Sequence, residues 1–275
     1  MSDGARETRY EKHTWPEIQQ LAAADALVLI PTAAIEEHGP HLPLDTDAVI
    51  ASHVAHAAAR RSQHPAVVMP TVWIGYESHH MDFPGTIDVP WDLFVHYGLA
   101  ITRSLAHHGF RRMLLVNGHG SNRPLIEVIA RQTVVERPDT LCAALSWWEL
   151  SDAQRVFNDV RDSQVTSHAC ELETSAYLAI DPAWVQMDKA VADSHYRLSP
   201  HVWSDLMGQR PDAEAKAAVR MMEIWSTVSE TGVRGDATVA TAEKGRLVLD
   251  AAIRELAEVI DELAARDIRP PRDHH

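Results

Sequence analysis

Short aliphatic, β-branched runs alternate with longer stretches of helical period through the first two thirds of the chain, and this alternation constrains the fold more than any other feature. ALVLI (Ala26–Ile30) precedes a helical stretch from Asp47 to Arg61, and AVVMP (Ala66–Pro70) precedes one from Trp91 to His107. RMLLVN (Arg112–Asn117) leads to a helix through Glu127 and Ile129, and LCAALSW (Leu141–Trp147) follows as a fourth strand. Strands that alternate with helices make a mostly parallel sheet covered by helices. Such α/β folds bind ligands beyond the C-terminal ends of their strands.

Toward the C-terminus, Leu249, Ile253, Leu256, Ile260 and Leu263 recur at three- and four-residue steps, which predicts an amphipathic closing helix. Thr241 is its expected N-cap and Glu243 lies in its first turn. A second helical pattern runs from Ala213 to Trp225, inside a stretch from about Asp181 to Thr238 that reads as a lid or a contact between copies. The 275 residues, 45% of them hydrophobic, suffice for one large core, so residues 1–275 are expected to form a single domain.

Charge narrows the partners. Lys and Arg number 25 against 39 Asp and Glu, and a net charge of -14 argues against nucleic acid or an anionic membrane surface. No apolar run approaches the roughly 20 residues that span a bilayer. With only Cys142 and Cys170, a reduced, cytoplasmic setting is expected. The 17 histidines direct attention to clusters, because imidazole both ligates metals and carries protons near neutral pH.

The richest cluster follows the first strand. PTAAIEEHGPHLPLDTD gathers Glu36, Glu37, His38, His41, Asp45 and Asp47 on one loop, a ligand set that Zn or Mn accepts, although a solvated acidic loop would share the composition. NGHGSN places His119 at the corresponding end of the third strand, between glycines that admit close backbone approach. SHACELETS carries His168, Glu171 and Glu173 at an expected helix start, where a capping motif is the alternative. GYESHHMDFPGTIDV contributes Ser78, His79, His80 and Asp82, with His79 and His80 either entering the site or covering it. Trp147 and Trp148 close the fourth strand, as pocket wall or as core.

In this order, the segments IEEHGPHLPLDTD, FPGT, NGHGSN, HACELETS and GVRGDATVATAEKG resemble the signature regions of the creatininase (creatinine amidohydrolase) family, over about Thr14 to Leu263. The resemblance implies a three-layer α/β/α sandwich, assembly as a homohexamer and two divalent ions per subunit. Carried over by position, Glu36 and His119 would hold one ion, His38 and Glu173 the other, and Asp47 would bridge them. His168 matches the family's proton-transferring histidine, and Ser78 and Trp148 match positions that contact substrate. Mixed oxygen and nitrogen donors suit Zn or Mn better than Mg. A water shared by the ions would lose its proton near neutral pH and act as nucleophile.

One departure bears on substrate. Where creatininase itself has a Tyr and a functional Glu after the motif histidine, this chain has Gly120 and Ser121, which then count among the residues facing a different substrate. The leading expectation is hydrolysis of a C–N bond in a small, cyclic amide or amidine. Hydrolytic C–C cleavage of a cyclic polyol diketone, of dehydro-inosose type, is the alternative. A non-catalytic metal-binding protein is the third reading.

Overall fold

The computed structural model describes residues 7–193, 201–202, 205–207, 219 and 221–275. After a short helix α1 (Trp15–Ala23), four parallel strands, β1 (Leu27–Thr32), β2 (Ala66–Val68), β3 (Arg112–Asn117) and β4 (Leu141–Ser146), pair in the order β2-β1-β3-β4. Helix α2 (Thr46–Arg61) connects β1 to β2, α3 (Trp91–His107) connects β2 to β3, and α4 (Arg123–Glu136) connects β3 to β4. The chain then continues through α5 (Ser151–Val160), β5 (Thr166–His168), α6 (Glu171–Ile180), β6 (Ala192–Asp193), β7 (Arg234–Asp236) and α7 (Ala242–Ala265).

Strand residues alternate between two apolar layers. Leu27 and Leu29 of β1 and Leu114 and Val116 of β3 pack with Ile50, Val54, Leu172, Leu256 and Ile260, from α2, α6 and α7. Val28, Ile30, Met113 and Leu115 face the other way, onto Phe94, Leu99, Ile126 and Ile129 of α3 and α4. Both faces of the sheet are therefore covered, as the α/β/α sandwich requires and as fully buried parallel strands demand. Truncating one such side chain, as in Leu29→Ala, would cost about 2–5 kcal/mol.

The expected elements form, with shifts at their ends. Pro70 cannot donate a ladder hydrogen bond, and β2 stops at Val68. β4 stops at Ser146, where Ser146 and Glu149 form a capping box around a short 3-10 turn, Trp147–Glu149. Thr241 caps α7 as expected, its Oγ1 accepting from Lys244 N at 3.2 Å. The sequence pattern did not reveal a second, antiparallel sheet of three very short strands, ordered β5-β7-β6. Most of the expected Ala213–Trp225 helix lies outside the described residues, and Trp225 itself opens a 3-10 turn, Trp225–Thr227.

The topology locates a crevice. From β1 the chain moves to β2 on one side, then returns to place β3 on the other, so the loops after β1 and β3 diverge at a switch point. No helix among the described residues is long and apolar enough to cross a membrane.

Candidate metal centre

Hydrogen bonds between strand ends fix the loops that carry the site. Thr32 Oγ1 donates to Asn117 Oδ1 at 3.2 Å, and Asn117 Nδ2 donates to Ser146 Oγ at 3.2 Å, joining β1, β3 and β4. His119 follows on a loop pressed against the start of α2. A Cβ on Gly118 would come within 2.6 Å of the Asp47 carbonyl oxygen, so only glycine allows His119 and Asp47 to meet. Asn122 accepts from Tyr76 N at 3.0 Å and donates to Ala33 O at 3.0 Å, tying the loop after β2 to the other two.

The second sheet and α6 complete the group. His168 ends β5, and the buried Ala169 turns the chain with φ 48° before α6 presents Glu173 in its first turn. A left-handed alanine costs about 1–2 kcal/mol. That local strain positions an imidazole and a carboxylate five residues apart beside the same centre.

All five residues matched to metal positions converge, and each is under a tenth exposed. Asp47 places Oδ1 3.2 Å from His38 Nε2 and Oδ2 3.1 Å from His119 Nδ1. Glu36 Oε1 lies 2.9 Å from His119 Nδ1 and 3.8 Å from His38 Nε2. Donor atoms of His38, Asp47 and Glu173 fall within 4.8 Å of one another, as do those of Glu36, Glu77 and His119. His168 packs against His38 with ring centroids 4.4 Å apart and planes tilted by 36°; its Nε2 donates to the Glu37 carbonyl oxygen at 2.7 Å, and its Nδ1 faces Glu36 at 4.0 Å.

The electrostatics draw positive charge inward. Burial works against an imidazolium at His38, yet Asp47 pushes its pKa up to about 9. Burial likewise opposes charge on His119, which Glu36 and Glu77 nonetheless raise well above the usual histidine range. Burial and then Glu77 raise Glu36, and burial raises Glu173. Several buried donors, Glu36 Oε2 and His38 Nε2 among them, make no hydrogen bond. Their close contacts are ion pairs within the cluster, Glu36 Oε2 with His80 Nδ1 at 3.1 Å and His38 Nε2 with Asp47 Oδ1 at 3.2 Å. Divalent cations would satisfy them, and the mixed carboxylate and imidazole set fits Zn or Mn.

A cavity of about 1890 Å³ opens onto this centre, lined by Gly120, Ser121, Trp148, His168 and Trp225 among others. Ser78 is not among its walls: the side chain is exposed and its hydroxyl donates to Asp88 Oδ2 at 2.9 Å. His79 and His80 are both buried and both line the cavity. Part of the stretch read as a lid or copy contact, including Asp193, Met221 and Trp225, forms another wall. Sequence reading passed over Glu77, fully buried with Oε2 2.9 Å from His119 Nε2. Its signal was present, because Glu77 and His79 repeat the Glu-x-His spacing of Glu36 and His38. Glu37, too, was assigned no role, yet its Oε1 lies 3.3 Å from both His168 Nε2 and His80 Nδ1.

Comparison with known proteins identifies the family. The model of the creatininase family, described as creatinine amidohydrolase, matches residues 11–260. A mycofactocin precursor peptide peptidase of Mycolicibacterium smegmatis is 32% identical over 250 residues, covering 88% of this chain and 87% of the relative. A 3-dehydro-scyllo-inosose hydrolase of Thermotoga maritima is 26% identical over 263 residues, covering 94% and 84%. Among solved structures, a creatininase in its Mn form superposes with a TM-score of 0.79 at 26% identity, over 95% of this chain and 100% of that one.

Proposed function

The chain belongs to the creatininase family of hydrolases, and from that membership we propose that it is a two-ion metal-dependent enzyme cleaving the C–N bond of a small, cyclic amide or amidine. The Asp47 carboxylate carries this reading, with one oxygen 3.2 Å from His38 and the other 3.1 Å from His119. A carboxylate shared in this way suits two neighbouring ions, one held by Glu36 and His119, the other by His38 and Glu173. When bound, Zn or Mn would supply Lewis acidity and activate a water.

The remaining roles belong to the protein. His168 is fixed by the bond from its Nε2 to the Glu37 carbonyl oxygen, which leaves Nδ1 turned toward Glu36. In this reading Nδ1 takes up the proton that the attacking water loses and delivers it to the leaving nitrogen. A Cβ at Gly120 would meet nothing within 4 Å, so Gly120 and Ser121 leave room for a substrate wider than a bulkier pair would admit. Trp148, 5% exposed, supplies an apolar wall. Ser78 is better placed to hold its own loop than to touch substrate.

The test joins metal content to product identity. Protein freed of metal should be inactive and recover with Zn or Mn, releasing ammonia or an amine from members of a panel of cyclic amides, amidines and short peptides. Turnover that persists after complete chelation would overturn the mechanism. The similarity to the Thermotoga maritima inosose hydrolase supports a second reading, C–C cleavage of a cyclic polyol diketone. A new keto acid formed without nitrogen release would select it.

A further inference from the structure

Glu77, on the loop after β2, divides its oxygens as Asp47 does. Its Oε2 lies 2.9 Å from His119 Nε2 and its Oε1 lies 3.3 Å from His79 Nδ1. Asp47 is shared in the same way between His119 and His38. The side chains therefore form a row, His38, Asp47, His119, Glu77, His79, in which each carboxylate sits between two imidazoles. His80 closes the far end, with donor atoms of Glu77, His79 and His80 all within 4.8 Å of one another.

This end of the row is buried and short of hydrogen bonds, its contacts being ion pairs within the cluster. Glu77, His79 and His80 are 0%, 7% and 2% exposed, and Glu77 Oε1 and Oε2, His79 Nδ1 and His80 Nδ1 make no hydrogen bond. Charge leads to the same place. Glu36, Glu37, Asp47, Glu77 and Glu173 are all buried at this centre, more negative charge than two divalent ions offset. Of the two carboxylates outside the proposed ion pair, Glu37 accepts from Gly39 N at 2.9 Å, whereas Glu77 accepts nothing. Glu77 is ion-paired with His119 at 2.9 Å, and with His119 neutral as a metal ligand this buried carboxylate would need another cation.

The surroundings hold these donors in place. Glu77 N donates to Asp88 Oδ1 at 2.7 Å, and Ser78 Oγ donates to the other oxygen of Asp88, pinning the loop. Ser121 Oγ lies 3.3 Å from His79 Nε2 and can accept a hydrogen bond from it, which leaves Nδ1 as the electron-pair donor toward Glu77. Trp225 stacks on the His80 ring with centroids 4.5 Å apart.

We propose that Glu77, His79 and His80 form a third cation site beside the two-ion centre, taking a divalent ion of the Zn or Mn class. One carboxylate and two imidazoles are a ligand set such ions accept. Three protein ligands leave coordination positions free, and His79 and His80 both line the cavity, so the ion is within reach of an oxygen or nitrogen of the substrate. The inference rests on the two ion positions proposed above and adds a third to them.

The experiment saturates metal-freed protein with Zn, and separately with Mn, removes free metal, and measures ions per subunit by elemental analysis. Wild type should carry one ion more per subunit than His79→Gln, and Glu77→Gln should show the same loss. Thermal unfolding of each variant establishes that it is folded. Equal content in wild type and both variants overturns the third site. Wild type saturating at two ions that Asp47→Ala releases also overturns it while sparing the hydrolase reading. Wild type that takes up no metal overturns both.

Discussion

His119 Nδ1 lies 3.1 Å from Asp47 Oδ2, across a loop contact that Gly118 alone keeps open. Since Asp47 reaches His38 with its other oxygen, it is placed to be shared by the two proposed ions. Asp47→Ala should lower metal content sharply and reduce turnover by more than ~100-fold, beyond the usual effect of altering an outer partner. Asp47→Asn, which preserves shape and removes charge, should resemble it. Elemental analysis with steady-state kinetics checks both, and full metal retention in Asp47→Asn would mean that charge at this position is not what holds the ions.

Acid should destabilise the metal-free protein through its buried neutral histidines. Burial pushes His41 down to about 4, and its Nε2 lies 2.8 Å from Thr174 Oγ1. Below pH 6.5 the unfolded chain takes up a proton that folded His41 refuses, so stability falls as pH drops from about 6.5 toward 4, by at most about 1.4 kcal/mol per pH unit from this group. His79, which burial pushes down to about 4, adds to the same limb. Between pH 7 and 4 the urea midpoint of His41→Gln should lose less, or gain more, than that of wild type, because the raised carboxyls of Glu36 and Glu173 act in the opposite sense in both proteins. An unchanged slope in that variant would remove His41 from the account.

The parallel sheet was legible because β1 and β3 are buried on both faces and therefore read as unbroken apolar runs. The site was legible where Gly and Pro force a loop between apolar strand and helix, as around Glu36, His38 and Asp47. It was less so where the supporting structure is short. Strands β5, β6 and β7 have two or three residues each, too few for a period to register. Glu77 was hidden among Ser78, His79 and His80, because a fully buried carboxylate and an exposed serine look alike in a polar segment. Only tertiary packing, through Asn122 and Asp88, turns Glu77 inward and Ser78 outward.

Gly245 links the closing helix to the site. A Cβ there would collide with the Ser175 carbonyl oxygen, so α7 packs against α6 at a separation that only glycine permits. Because the colliding atom is backbone, Gly245→Ala must push the helices apart, at a cost of about 1–3 kcal/mol or more. α6 carries Glu173 in its first turn, and the shift should also weaken metal retention. Lower thermal stability together with faster metal loss to a chelator is the expected pair. Lower stability with unchanged metal loss would mean that α6 yields at its far end.

His168 should separate binding from turnover. It packs against His38 and is held at Nε2 by the Glu37 carbonyl oxygen, but it lies outside the ligand set assigned to the two ions. His168→Asn should therefore keep its metal content and lose about 10²–10⁴-fold in kcat, the range for losing a positioned acid or base. The size of the loss should depend on the leaving group. An amide that expels a weakly basic amine needs little protonation, so its hydrolysis should suffer less than that of an alkyl amide. Comparing wild type and variant on the two substrates isolates proton delivery from general damage. An equal loss on both would show that His168 acts before the leaving nitrogen departs, as a base toward water or as a support for His38.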